Sequence, residues 1–166
     1  MKSSFLRALL ILSLLAIPLV LSEHLFADDP PKKTRPNIYD ESADGNKQIA
    51  DALAVAHKDG KRVLLKFGAN WCIWCHRLHE LFDADTHIAA ELKSDYVVVL
   101  VDVNKEHNKD VDLKYGHPMR FGLPVLVVLD AEGKQLTTKD SGELEQGDHH
   151  SPEKVLAFLK EWAPKR

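Results

Sequence analysis

The sequence predicts an α/β fold, a mixed central β-sheet flanked by helices on both faces, and three observations lead there. Apolar runs of strand character, at 62–67, 96–103 and 125–129, alternate with stretches of helical period. The chain then closes with a β-hairpin and a helix. Its two cysteines, Cys72 and Cys75, fall where the first apolar run hands over to a helix.

Taken in order, the first segment is a targeting signal rather than part of the fold. Lys2 and Arg7 precede an apolar run over 8–21 with Ser13 as its polar interruption. That is short of the ~20 residues needed to span a bilayer, so 1–27 reads as a cleavable signal peptide, with an uncleaved anchor as the alternative. Small residues allow cleavage after Ala27 or after Ser22. Residues 28–37 carry Pro30, Pro31, Pro36 and three basic side chains without apolar periodicity, and read as a flexible tether. The folded domain is then 38–166.

Asp44 or Asn46 caps a first helix running to about Lys58, with Gly60 as its stop. The strand 62–67 follows, then a helix from Cys72 to Phe82 and a second capping site at Asp85-Thr86 ahead of Ile88 to Leu92. Tyr96 to Val103 is apolar on both faces and predicts a central, doubly covered strand. A polar stretch, 104–109, leads to a short helical piece over 111–115 that Gly116 ends. Leu123-Pro124 stands directly before the strand 125–129, and a turn at 130–134 returns the chain through 135–138. A loop, 140–150, precedes Ser151-Pro152-Glu153, which starts the last helix with Val155, Leu156, Leu159 and Trp162 on one face.

Composition narrows the function. With 166 residues, 45% of them hydrophobic and 28% charged, the chain has room for one globular domain. A formal charge of −3 offers no basic stripe for nucleic acid. The nine histidines are scattered without metal-ligand spacing, so neither a metal site nor a cofactor is expected. After signal removal no stable membrane insertion is expected, and the mature protein is placed in the periplasm or otherwise outside the cytoplasm. In such an oxidising compartment a lone cysteine pair is disulfide-bonded unless something reduces it. Two cysteines separated by two residues close too small a loop to staple a fold, which favours a redox role.

The helix start makes the two sulfurs unequal. At a helix N-terminus a thiolate gains up to about 2 kcal/mol, enough to bring a thiol from about 8.5 to near 7. Cys72 holds that position. From Cys75, one and two turns along the helix, lie Leu78 and Phe82, so Cys75 points into the core. From Ile73 the corresponding positions are His76, Arg77 and Glu80, so Ile73 faces water. Cys72 is therefore the candidate attacking thiol and Cys75 the resolving one.

Trp71-Cys72-Ile73-Trp74-Cys75 after a strand, Leu123-Pro124 before a later strand, and the closing hairpin and helix resemble the thioredoxin fold. More narrowly the chain resembles exported bacterial single-domain thioredoxin-like proteins, over roughly Tyr39 to Pro164. The resemblance implies a thiol–disulfide oxidoreductase that exchanges disulfides with protein substrates and answers to an upstream membrane or periplasmic redox partner. It implies Cys72 as nucleophile, Cys75 as resolving thiol, Trp71 as an apolar wall beside them and Pro124 as a cis-proline facing the disulfide. Trp71, Ile73, Trp74, Leu123 and Pro124 together form the expected substrate-binding surface. Two groups are placed to modulate the pair. Lys66 stands where many thioredoxins carry a buried acid, six residues before the first cysteine, and either favours a thiolate or snorkels to solvent. His76 directly follows Cys75. Ile73-Trp74 replaces the Gly-Pro of thioredoxin, and the stretch 115–124 is about three residues longer, with His117-Pro118-Met119 as the insertion.

Two other readings compete. Cys72 to His76 also matches the C-x-x-C-H pattern of haem attachment, with Met119 or His117 as a distal ligand. A non-catalytic binding protein or chaperone is the second. Trp74 itself is either exposed for docking or folded under the 116–122 loop as core.

Overall fold

The computed structural model describes residues 35–165. The signal-peptide reading and most of the tether lie outside the described residues. From Arg35 the chain forms one compact unit. Its helices are α1 (Gly45–Asp59), α2 (Ile73–Ala84), α3 (Thr86–Asp95), α4 (Lys109–Lys114) and α5 (Pro152–Trp162). Its strands are β1 (Arg62–Gly68), β2 (Tyr96–Asp102), β3 (Val125–Leu129), β4 (Gln135–Asp140) and the two-residue pair β5 (Glu145–Gln146) and β6 (His149–His150).

The main sheet is mixed, in the order β2-β1-β3-β4. β1 runs parallel to β2 and antiparallel to β3, and β4 pairs antiparallel with β3. Because side chains alternate across a strand, β1 serves two cores at once. Val63, Leu65 and Phe67 join Ile49, Ala52 and Ala56 of α1 on one face. Leu64 joins Leu78 and Phe82 of α2, Ile88 of α3 and Leu159 of α5 on the other. Lys66 shares the parity of Leu64, so its side chain is directed toward α2.

The strand that the sequence predicts as central, 96–103, does not lie in the middle of the sheet. β2 is an edge strand, and β1 and β3 are the central ones. Apolar residues on both faces of a strand report helices above and below it, but say nothing about whether its outer backbone edge is paired. The helix ends follow their local chemistry. Asp44 caps α1 by accepting from Lys47 N, and Gly60 closes it at φ 67°. Asp85 ends α2 and caps α3, its carboxylate accepting from the amides of His87 at 2.9 Å and Ile88 at 3.0 Å. Ser151 and Pro152 start α5. The 140–150 stretch is more ordered than a loop: a turn over 141–144 leads into the β5–β6 hairpin. The Ser141 hydroxyl, buried there, donates to the carbonyl of Pro124 and ties this region to the start of β3.

Candidate active site

β1 ends at Gly68, and five residues later α2 begins, so the C-x-x-C segment is held between the central strand and a helix N-terminus. Cys72 is the N-cap of α2, and its Sγ accepts the Cys75 amide at 3.1 Å. Cys72 and Cys75 form a disulfide, with Cα atoms 5.2 Å apart. Cys75 is completely buried and Cys72 is 5% exposed. The Leu123–Pro124 bond is cis, and the Leu123 carbonyl oxygen lies 3.6 Å from Cys72 Sγ. Chain segments 51 residues apart thus meet at the disulfide.

Around this pair the expected surface residues separate. Trp71 is 66% exposed and Ile73 37%, both beside Cys72 in the chain. The Trp71 indole N–H donates to Asn104 Oδ1 at 3.2 Å, which ties the ring to the loop after β2. Trp74 is half-buried. It stands edge-on to His150 of β6, ring centres 5.3 Å apart, with the Arg77 guanidinium 4.6 Å from its ring. The 140–150 region, rather than the 116–122 loop, supplies that ring partner. The insertion is anchored by Asp112, whose carboxylate accepts from Met119 N at 3.0 Å and pairs with His117 Nδ1 at 3.0 Å.

Lys66 does not snorkel. It is fully buried, because β1 is central and both of its faces are covered. Its ammonium donates to the Cys75 carbonyl at 2.9 Å and sits 5.5 Å from the Tyr39 ring centre and 5.8 Å from that of Phe82. Burial pushes its pKa down to about 7, with the Asp83 charge opposing weakly. His76, placed on a water-facing side by the helix register, is instead buried, and its Nε2 lies 2.7 Å from the Asn70 carbonyl.

Other residues of the site carried no motif. Asn70 accepts from the amides of Ile38 and Tyr39, both at 2.9 Å, and its side-chain amide donates to the Tyr39 carbonyl at 3.0 Å and to Glu41 Oε1 at 2.9 Å. One side chain therefore clamps the entrance of the domain onto the C-x-x-C loop. Tyr39 packs with Cys72 and Cys75 as a small cluster of its own. Gly68 makes room for it: a Cβ there would strike Tyr39 Oη and come within 2.7 Å of Cys75 Sγ. Asp102, at the end of β2, is buried and pairs with His107 Nδ1 at 2.9 Å. An aromatic residue at the domain start and a lone Asn between strand and motif were the available signals, and both are too common to single out.

A disulfide between an N-cap cysteine and a buried one, beside a cis-proline on a mixed sheet, can now be set against known proteins. The thioredoxin-like family profile matches residues 44–131. This chain belongs to the thioredoxin-like family. It is 26% identical to the thiol:disulfide interchange protein DsbD of Vibrio vulnificus, over 82% of this chain and 22% of that protein. The chain thus spans about a fifth of the length of such curated relatives. Among solved structures, a disulphide isomerase from Xylella fastidiosa is 33% identical with a TM-score of 0.68, covering 76% of this chain and 96% of that one. The oxidised C-terminal domain of Neisseria meningitidis DsbD shares the fold, at 18% identity and a TM-score of 0.52 over 72% of this chain and 97% of that one. Membership of this family with an intact C-x-x-C pair supports thiol–disulfide oxidoreductase activity.

Proposed function

We propose that this protein exchanges disulfides with protein substrates outside the cytoplasm, Cys72 attacking and Cys75 resolving. The observation that carries the reading is the asymmetry of the pair. Cys72 caps α2 and accepts an amide N–H through sulfur, which favours a thiolate there, while Cys75 is sealed in the core one turn on. In the forward half-reaction the Cys72 thiolate attacks a substrate disulfide, forming a mixed disulfide and releasing one substrate thiolate. Cys75 then attacks Cys72 Sγ, closing the Cys72–Cys75 bond and expelling the second substrate sulfur with the electron pair. Run backwards, the same steps oxidise a substrate dithiol.

Trp71, Ile73, Trp74, Leu123 and Pro124 are the proposed docking surface, with the Leu123 carbonyl beside Cys72 as an acceptor for an approaching chain. Lys66 and His76 are the proposed modulators. Residues 1–27 are the proposed export signal and 28–37 the proposed tether; among the described residues no helix is long and apolar enough to cross a membrane. A membrane or periplasmic partner that resets the pair fits the DsbD relationship. Haem attachment is disfavoured by geometry: the two sulfurs are joined to each other, and His76 Nε2 is engaged by the Asn70 carbonyl.

An insulin-reduction or oxidative-refolding assay tests the reading, with Cys72→Ser as control. Activity in the wild type that disappears in Cys72→Ser is expected; equal effects of both proteins on refolding would instead indicate a chaperone. Trp74→Ala is expected to slow reaction with a protein disulfide about tenfold, a loss of ~1.4 kcal/mol of docking, while oxidised glutathione reacts nearly as before. Equal slowing toward both, together with a large fall in Tm, would place Trp74 in the core and remove it from the docking surface.

A further inference from the structure

Tyr39 is buried, and among the described residues its hydroxyl has no hydrogen-bond partner. That is an unfavourable state for a polar group, and packing alone does not call for it, since a phenyl ring would fill the same space. The ring is held firmly: Asn70 grips its backbone on both sides, and the side chain packs against Cys72 and Cys75. Tyr39 Oη and Cys75 Sγ press on one point, the position a Cβ of residue 68 would occupy, yet no hydrogen bond joins them in the disulfide. A disulfide sulfur is a weak acceptor; a thiolate is a charged and much stronger one.

We propose that the Tyr39 hydroxyl donates a hydrogen bond to Cys75 Sγ once the disulfide opens, so that reduction satisfies a buried group that oxidation leaves unpaired. This rests on the exchange reaction proposed above. When an incoming thiolate attacks Cys72 Sγ, a new S–S bond forms there and the Cys72–Cys75 bond breaks. Its electron pair leaves on Cys75, and Tyr39 stabilises that thiolate without giving up its proton. A second substrate thiolate then attacks the mixed disulfide, the substrate leaves oxidised, and the cysteines take up the two protons its dithiol lost. Tyr39 is suited to donate and not to ionise: burial, and after it the charge of Asp102, raise its pKa above the ordinary tyrosine value. The Lys66 ammonium near its ring leaves it equally a donor. The same hydrogen bond makes Cys75 a better leaving group in one direction and holds it deprotonated for attack in the other.

The test is the equilibrium between wild type or Tyr39→Phe and glutathione redox buffers, quenched by alkylation. Loss of the hydroxyl is expected to shift the couple about tenfold toward disulfide, near 30 mV more negative for two electrons. The oxidised variant should melt no lower than oxidised wild type, and the reduced variant lower than reduced wild type. A merely structural hydroxyl would change both melting points alike and leave the equilibrium unmoved, which overturns the proposal. If the variant fails to fold, the ¹³Cζ resonance of Tyr39 in wild type decides: a shift on reduction supports the hydrogen bond, and identical values in both redox forms overturn it. A wild type that forms no mixed disulfide with a substrate protein overturns the exchange reading itself, an outcome separate from an unmoved Tyr39→Phe equilibrium.

Discussion

Cys75→Ala is expected to lower turnover on the order of a thousandfold while leaving Cys72 reactive, so that a substrate protein accumulates as a mixed disulfide on Cys72. The expectation follows from position. Cys72 keeps its helix N-terminus and its place 3.6 Å from the Leu123 carbonyl, neither of which needs the Cys75 sulfur. What the variant lacks is the buried sulfur that displaces the substrate, and among the described residues no free cysteine stands in for it. The adduct should appear as a band of summed mass that a reductant dissolves. In the reduced wild type, alkylation at neutral pH should label Cys72 first. Faster labelling of Cys75 would reverse the assignment.

Lys66→Met is expected to stabilise the protein by about 3–5 kcal/mol near pH 6, and the advantage should shrink as pH rises. In the folded protein the ammonium loses its proton near pH 7, whereas in the unfolded chain it keeps it to about 10.5. Between those values the unfolded state binds more protons, so wild-type stability rises with pH across that window. Below about pH 7 the lysine is charged in both states, and burying the charge opposes folding in full. Methionine keeps the stem and removes the charge, at the expense of the hydrogen bond to the Cys75 carbonyl, worth about 1 kcal/mol. Chemical denaturation at pH 6 and pH 10 measures the two ends. A variant less stable than wild type at both would show that the ammonium is well accommodated where it lies. The charge also bears on the pair: below pH 7 a cation is bonded to the backbone of Cys75, so removing it should raise the thiol pKa of Cys72, followed by ultraviolet thiolate absorbance. An unchanged profile would confine Lys66 to stability alone.

Much of this architecture was written in local pattern. The strand at 62–67, the break at Asp85, the proline start of α5 and the cysteine positions each depend on a few neighbouring residues, because capping and side-chain alternation act over one turn or one pleat. The deep burial of Cys75 also followed from helix register, since steps of three and seven residues from it reach Leu78 and Phe82 of the core. Long-range pairing was what local pattern left open. Nothing in Tyr96 to Asp102 states that its outer edge is unpaired, because edge or centre depends on which other strands arrive. The burial of Lys66 depends on the same fact: on an edge strand its stem could reach water, but with β2 on one side of β1 and β3 on the other it cannot. Trp74 finds His150, Asn70 finds Tyr39, and Tyr39 finds the buried sulfur across separations that no periodicity encodes. The sequence by itself determined the redox pair and the elements that carry it. Only the tertiary structure decided which polar groups are sealed against that pair, because burial is set by what packs from elsewhere in the chain.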